Sequence, residues 1–96
     1  MSDEYKLQKA VGDAARAEGY LRDEWLAEVE ARRLNDLFEG WKHTRPDDIE
    51  GRERIFRQYH EVLKFRENLQ RIASEGHMAQ AELDTVVKMQ KAANER

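Results

Sequence analysis

The stretch His43-Thr44-Arg45-Pro46-Asp47-Asp48-Ile49-Glu50 decides how this chain folds. Pro46 stops whatever helix precedes it, because the residue before a proline avoids the α region. Asp47, with Glu50 three residues on, fits a capping box in which Asp replaces the usual Ser or Thr. Carboxylates in a first turn also suit the helix dipole. One helix therefore ends and another begins within a few residues, which predicts a sharp reversal at Thr44–Asp47.

Outward from that turn, both flanks are helical in pattern. Asp23 is the N-cap candidate for a helix running to His43. Leu26, Val29, Leu34, Leu37 and Trp41 share its apolar face, with Trp25 and Phe38 beside it. After the turn, Ile55, Phe56, Tyr59, Val62, Leu63, Leu69, Ile72 and Ala73 recur at helical spacing. Gly76 is then read as the C′ residue that ends this helix. Asp48–Glu75 is roughly 28 residues, or about 42 Å at 1.5 Å per residue. Two long helices joined by a short turn form an antiparallel hairpin.

The ends are weaker. Asp3 to Glu18 offers only Leu7, Val11, Ala14 and Ala15 as an apolar stripe, interrupted by Gly12. Ala79, Leu83, Val86, Val87 and Gln90 make a short C-terminal stripe with a polar end. The expected architecture is thus all-α. A long antiparallel hairpin is flanked by a weaker N-terminal and a short C-terminal helix. Residues 1–96 form a single domain with a hairpin core at 23–76 and less ordered ends.

Composition narrows the function classes. The chain has 96 residues, with 17 Lys+Arg against 20 Asp+Glu, a formal net charge of −3 and 39% charged residues. Mean hydropathy is −0.98. The two signs nearly cancel, and eight aromatic residues recur along the chain, so the pattern is a folded protein rather than a charge-expanded one. There is no Cys, which excludes a disulfide scaffold and thiolate chemistry. No apolar run exceeds three residues, so no membrane span is expected. Charge is shared unevenly: residues 1–41 carry net −4, residues 42–71 net +2 and residues 72–96 net −1.

Motifs for catalysis are missing. His60-Glu61 begins like H-E-x-x-H, but Lys64 stands where the second ligand belongs. His43 and His77 read as helix-end histidines. Asp47, Asp48 and Glu50 are explained by capping and do not form a calcium loop. Hydroxyl nucleophiles are scarce, with two Ser and two Thr in the chain. No enzymatic activity, metal or cofactor is expected.

Charges inside apolar stripes are more informative. Arg66 falls in the middle of the stripe made by Ile55, Tyr59, Leu63, Leu69 and Ala73. Glu30 and Arg33 hold similar places on the facing helix. Such charges either snorkel outwards from a thin core or form a polar layer that sets register within the hairpin or across an oligomer. Pairing about the turn brings Arg66 level with Trp25, Leu26 and Val29, one turn from Glu30. Its candidate partners are the Glu30 carboxylate, the Trp25 ring or a group on another subunit. Arg45, Arg52, Arg54 and Arg57 form a candidate basic patch, interleaved with Asp47, Asp48, Glu50 and Glu53. Nucleic acid is the less favoured partner for it, given a pI near 5.6. Trp41 is the expected anchor of the hairpin next to its turn.

Five short motifs carry a resemblance: Ala14-Ala15-Arg16-Ala17-Glu18, Trp41-x-x-Thr44, Pro46-Asp47-Asp48, Arg52-Glu53 and Gly76-x-x-Ala79. Across residues 14–83 the chain resembles a group of small helical proteins of tailed phages and prophages, encoded among virion-structure and packaging genes. The resemblance implies a viral setting and no enzyme, and it transfers no functional residues. The expectation is a non-enzymatic phage protein acting by protein–protein contact, as an accessory of virion assembly or DNA packaging. The alternative is a small acidic inhibitor or modulator of a host enzyme. Its partner is a protein, either a second copy or another phage or host protein. Its place is the host cytoplasm, with incorporation into the virion as a further option.

Overall fold

A computed structural model describes residues 3–95. Three helices account for nearly all of them: α1 (Asp3–Arg22), α2 (Glu24–Lys42) and α3 (Ile49–Asn94). The described residues contain no strand. The chain is all-α. It divides into two compact units, one of residues 21–68 and one built from α1 up to Tyr20 together with α3 from Leu69 onward.

In the first unit, α2 opens as expected. The Asp23 carboxylate accepts a hydrogen bond from the Leu26 amide at 3.0 Å. α2 closes with the Thr44 amide and hydroxyl both donating to the Trp41 carbonyl, at 3.1 and 2.6 Å. The reversal follows, with the Asp48 amide donating to the Arg45 carbonyl at 2.9 Å across Pro46. Pro at the second position of such a turn presets its φ angle. The cap of α3 is Asp48 rather than Asp47. The Asp48 carboxylate accepts from the Gly51 amide at 3.0 Å, and a Cβ at Gly51 would collide with that carboxylate. The Asp47/Glu50 reading is therefore one residue early. The residue three beyond Asp48 is Gly51, whose amide makes the capping bond, so Glu50 is not the box partner.

Three contacts join α2 to α3 in reverse order. Glu30 meets Arg66, Gly40 lies 3.8 Å from the Ile55 side chain by its would-be Cβ, and Trp41 meets Arg52. Leu37 is buried between the two helices, and Leu34, Ile55, Tyr59, Val62 and Leu63 are half-buried. Phe56, assigned to the inner face from its spacing, is 60% exposed, and Val29 is 40% exposed at the edge of its face.

The second unit corrects the sequence reading more deeply. Gly76 does not end a helix, and there is no separate C-terminal helix: α3 runs without a break from Ile49 to Asn94. A C′ glycine needs the left-handed conformation, and no described glycine has a positive φ. Gly76 is instead a point of close approach. A Cβ placed there would fall on the Cβ of Ala14 and lie 2.9 Å from the Ala10 carbonyl oxygen. Ala14, Ala17, Ala73 and Ala79 are the buried apolar residues of this unit. Ala15, assigned to the stripe of α1, is exposed, and Ala17 takes its place. Gly12 and Gly19 do not interrupt α1. Their cost of about 1 kcal/mol each relative to Ala is carried by a 20-residue helix whose other side chains are mostly good helix formers.

The core is thin in both units. Among the described residues no large side chain is fully enclosed.

Candidate functional site

What α2 and α3 leave uncovered is aromatic. On an α-helix, residues three and four apart share a face. Phe38 and Trp41 therefore lie together on α2, and Phe56, Tyr59 and His60 lie together on α3. The two sets meet along one side of the helix pair and line a groove of about 260 Å³ with Leu37 and Ile55. Phe38 is 50% exposed, Trp41 38% and Phe56 60%. Half-exposed rings hold on the order of 100 Å² of surface each in water. Together with their neighbours they make a patch of the size that marks an interaction site.

The rings are ordered by one another and by cations. Phe38 and Trp41 are stacked, with centroids 6.2 Å apart and planes 18° from parallel. The Arg52 guanidinium sits 4.2 Å above the Trp41 ring, and Lys42 stands 5.4 Å from the Phe38 centroid. Both are within the range in which a ring quadrupole attracts a cation. Arg52 also donates to the Thr44 hydroxyl at 3.3 Å, which ties the ring stack to the turn. Phe56 and His60 lie 4.3 Å apart at 60°. Trp41 thus has two roles at once, one side against α3 and the other open to solvent.

Arg66 finds its partner within the chain. Its Nε donates to the Glu30 carboxylate at 2.9 Å, with side chains 33% and 24% exposed. Trp25, the other candidate partner, is exposed. Arg33 lines a groove with Val29, Glu30, Gln58 and Phe65, but the Glu30 carboxylate is paired with Arg66. The pair is neither at the surface nor enclosed, so its worth falls between the 0–1 kcal/mol of exposed pairs and the 3–5 kcal/mol cost of breaking buried ones. Arg66→Ala is expected to lower unfolding free energy by about 1–2 kcal/mol, and Arg54→Ala by less than 0.5 kcal/mol. Chemical denaturation of both variants checks this. Equal small losses mean that Arg66 contributes only its aliphatic stem.

The four arginines of the basic patch do not converge. Arg45 pairs with Asp47 at 3.3 Å, and Arg52 is held on Trp41. Arg52 and Arg54 are about 200° apart around α3, so only Arg54 and Arg57 share a side. Both are exposed.

One contact escaped the sequence reading. His77 Nε2 lies 2.7 Å from the Glu18 carboxylate, beside the Ala14–Gly76 contact. With Gly76 assigned to a helix end, His77 read as a cap, and nothing in the spacing alone joins it to Glu18. Elsewhere on α1, Lys9 hydrogen-bonds Asp13 at 2.9 Å, and that carboxylate raises the ammonium above its ordinary pKa. Among the described residues no group of three His, Asp or Glu converges to hold a metal ion, and no helix is long and apolar enough to cross a membrane.

No known protein family, curated protein sequence or solved structure matches this chain.

Proposed function

We propose that the protein works by protein–protein contact, without enzymatic activity, through the aromatic face of α2 and α3. The carrying observation is the uncovered aromatic side of this unit: Leu37 is buried beneath it, while Phe38 is 50% exposed, Phe56 60% and Trp41 38%. Aromatic anchors bordered by cations are the composition of interface hot spots. In this reading α2 and the first part of α3 act as an antiparallel hairpin. The reversed order of their three contacts supports that arrangement.

The setting we propose is a tailed phage or prophage, with the protein as an accessory of virion assembly or DNA packaging. It acts in the host cytoplasm or is carried into the virion. The sequence motifs between residues 14 and 83 support this. Inhibition of a host enzyme by an acidic N-terminal surface ranks second. Several of the carboxylates it needs are already engaged: Asp13 by Lys9, Glu18 by His77, Glu30 by Arg66 and Glu39 by Lys42.

A photo-crosslinking residue placed at Phe56, in cells of the native source, tests the docking role. Crosslinked protein is expected at Phe56 and not at exposed Ala81. Equal, background-level crosslinking at both positions would remove the proposal. The setting is tested by gene position, and a locus among metabolic genes would overturn it.

A further inference from the structure

Taking the aromatic face as a docking surface, an assignment on which this inference rests, we infer that what docks there is an acidic segment of another protein. Arg52 receives its carboxylate, about one helical turn from the apolar side chain that enters the groove.

Arg52 carries the inference because its charge has no counterpart. Among the described residues two arginines are half-buried, Arg52 and Arg66. They stand fourteen residues apart on α3, about four turns, so both face α2. Arg66 meets Glu30, and Arg52 meets Thr44, which lies fourteen residues after Glu30. The two places are alike, but one holds a carboxylate and the other a hydroxyl. Arg66 is neutralised within the chain, whereas no described carboxylate pairs with Arg52. Asp48, one turn back, accepts from the Gly51 amide instead.

The guanidinium is also held ready. It has five N–H donors. Arg52 uses one on Thr44 at 3.3 Å and lies 4.2 Å from the Trp41 ring centroid, which fixes its place without neutralising it. A carboxylate arriving there meets a fork already in position, and such pairs bind in a bidentate way at little ordering cost. Arg52 precedes Ile55 and Phe56 by three and four residues, and both line the groove, so the cation sits at the groove's end nearest the turn.

The other occupants fit less well. The chain supplies its own cations to Trp41 and Phe38, so a cationic ligand would meet their charge. At about 260 Å³ the groove is smaller than the roughly 300–1,000 Å³ of small-molecule sites and suits one or two side chains. A nucleic-acid strand needs cations in a row along its phosphates. Here Arg45 is paired with Asp47, and Arg54 stands about 200° around α3 from Arg52.

The test starts from the protein crosslinked through a photoreactive residue at Phe56 in cells of the native source. Mass spectrometry locates the crosslinked segment, which is then made as a labelled peptide and titrated with the full chain. An Asp or Glu is expected within four residues of its apolar anchor. Arg52→Glu should weaken binding at least tenfold. Arg54→Glu, the same charge change on another side of α3, should alter it by no more than about threefold. Lys in place of the peptide's acidic residue should weaken binding to the native chain about tenfold, and Arg52→Glu should recover it. If circular dichroism shows that Arg52→Glu fails to fold, Arg52→Gln and the altered peptide give the same pairing as a double-mutant cycle.

A segment with no acidic residue near its anchor overturns the inference and leaves the docking role standing. So does a peptide that binds Arg52→Glu, or Arg52→Gln, as tightly as the native chain, since Arg52 then serves the fold alone. A nuclease-sensitive crosslinked product, or a crosslink to a second copy of this chain, overturns it as well. No crosslink at Phe56 above the Ala81 background removes both.

Discussion

Gly76→Ala lowers stability by about 1–3 kcal/mol, against the direction that helix propensity dictates. In an open helix the same change gains about 1 kcal/mol, because alanine loses less backbone freedom. Here the new methyl has no room. It would coincide with the Ala14 side chain and crowd the Ala10 carbonyl, which belongs to a helix backbone and cannot rotate away. Overpacking of this kind typically costs about 1–3 kcal/mol. In a chain this size each kcal/mol moves the melting temperature by about 4–8 °C. Gly12 and Gly19 provide the comparison, since a Cβ at either meets nothing within 4 Å. Gly12→Ala and Gly19→Ala should each raise the melting temperature. Adding Ala14→Gly to Gly76→Ala should recover part of the loss, because the Ala10 carbonyl stays in place. Thermal melts of the five proteins, wild type included, decide it. A stabilised Gly76→Ala would mean that α1 does not lie on α3 at that point.

The same glycine shows where sequence reading ends. Its role as a helix terminator rested on its frequency at C′ positions, a local argument. What keeps it inside α3 is a contact with a helix more than fifty residues earlier in the chain. Ala14, Ala73 and Ala79 were placed on apolar faces and Ala17 was not, but nothing local showed that the four meet as one core. Small side chains carry little hydrophobic signal, and they become a core only when two backbones come close enough to bury them. Glu18 and His77 meet as a consequence of that approach. By contrast, features set by the local chain were legible. Asp23 caps α2, and Pro46 marks the reversal. Arg66 could be matched to Glu30 because the turn fixes the register and 1.5 Å per residue carries it outward. The aromatic face was half visible. Trp41 and Phe38 stood on the apolar side of α2, but Phe56 was placed in the interior. Helical periodicity assigns an arc, and the edge of an arc is where inside and outside differ by one rotamer.

Trp41→Ala should cost about 2–3 kcal/mol. A fully buried Trp→Ala typically costs about 3–5 kcal/mol. Trp41 is 38% exposed, so roughly three-fifths of that is in play. The ring holds together three things that a shorter side chain cannot reach at once. It stacks on Phe38, it lines the groove with Ile55 and Tyr59, and it carries the Arg52 guanidinium at 4.2 Å. Trp25 is a control of identical chemistry at 66% exposure, and Trp25→Ala should cost less than about 0.5 kcal/mol. Arg52→Ala isolates the cation, whose contact with the ring is worth about 0.5–1 kcal/mol at a partly exposed site. In a double-mutant cycle, Trp41 and Arg52 should couple by that amount. Trp41→Phe should keep most of the packing against α3. These experiments separate the inward role of the ring from its outward one. Loss of stability in Trp41→Ala without any change in crosslinking at Phe56 would place the ring in the fold alone and move the docking surface to Phe38 and Phe56. Loss of crosslinking with stability intact would place it wholly in the interface. The geometry, with one side packed and the other open beside the exposed Phe56, predicts that both fall together.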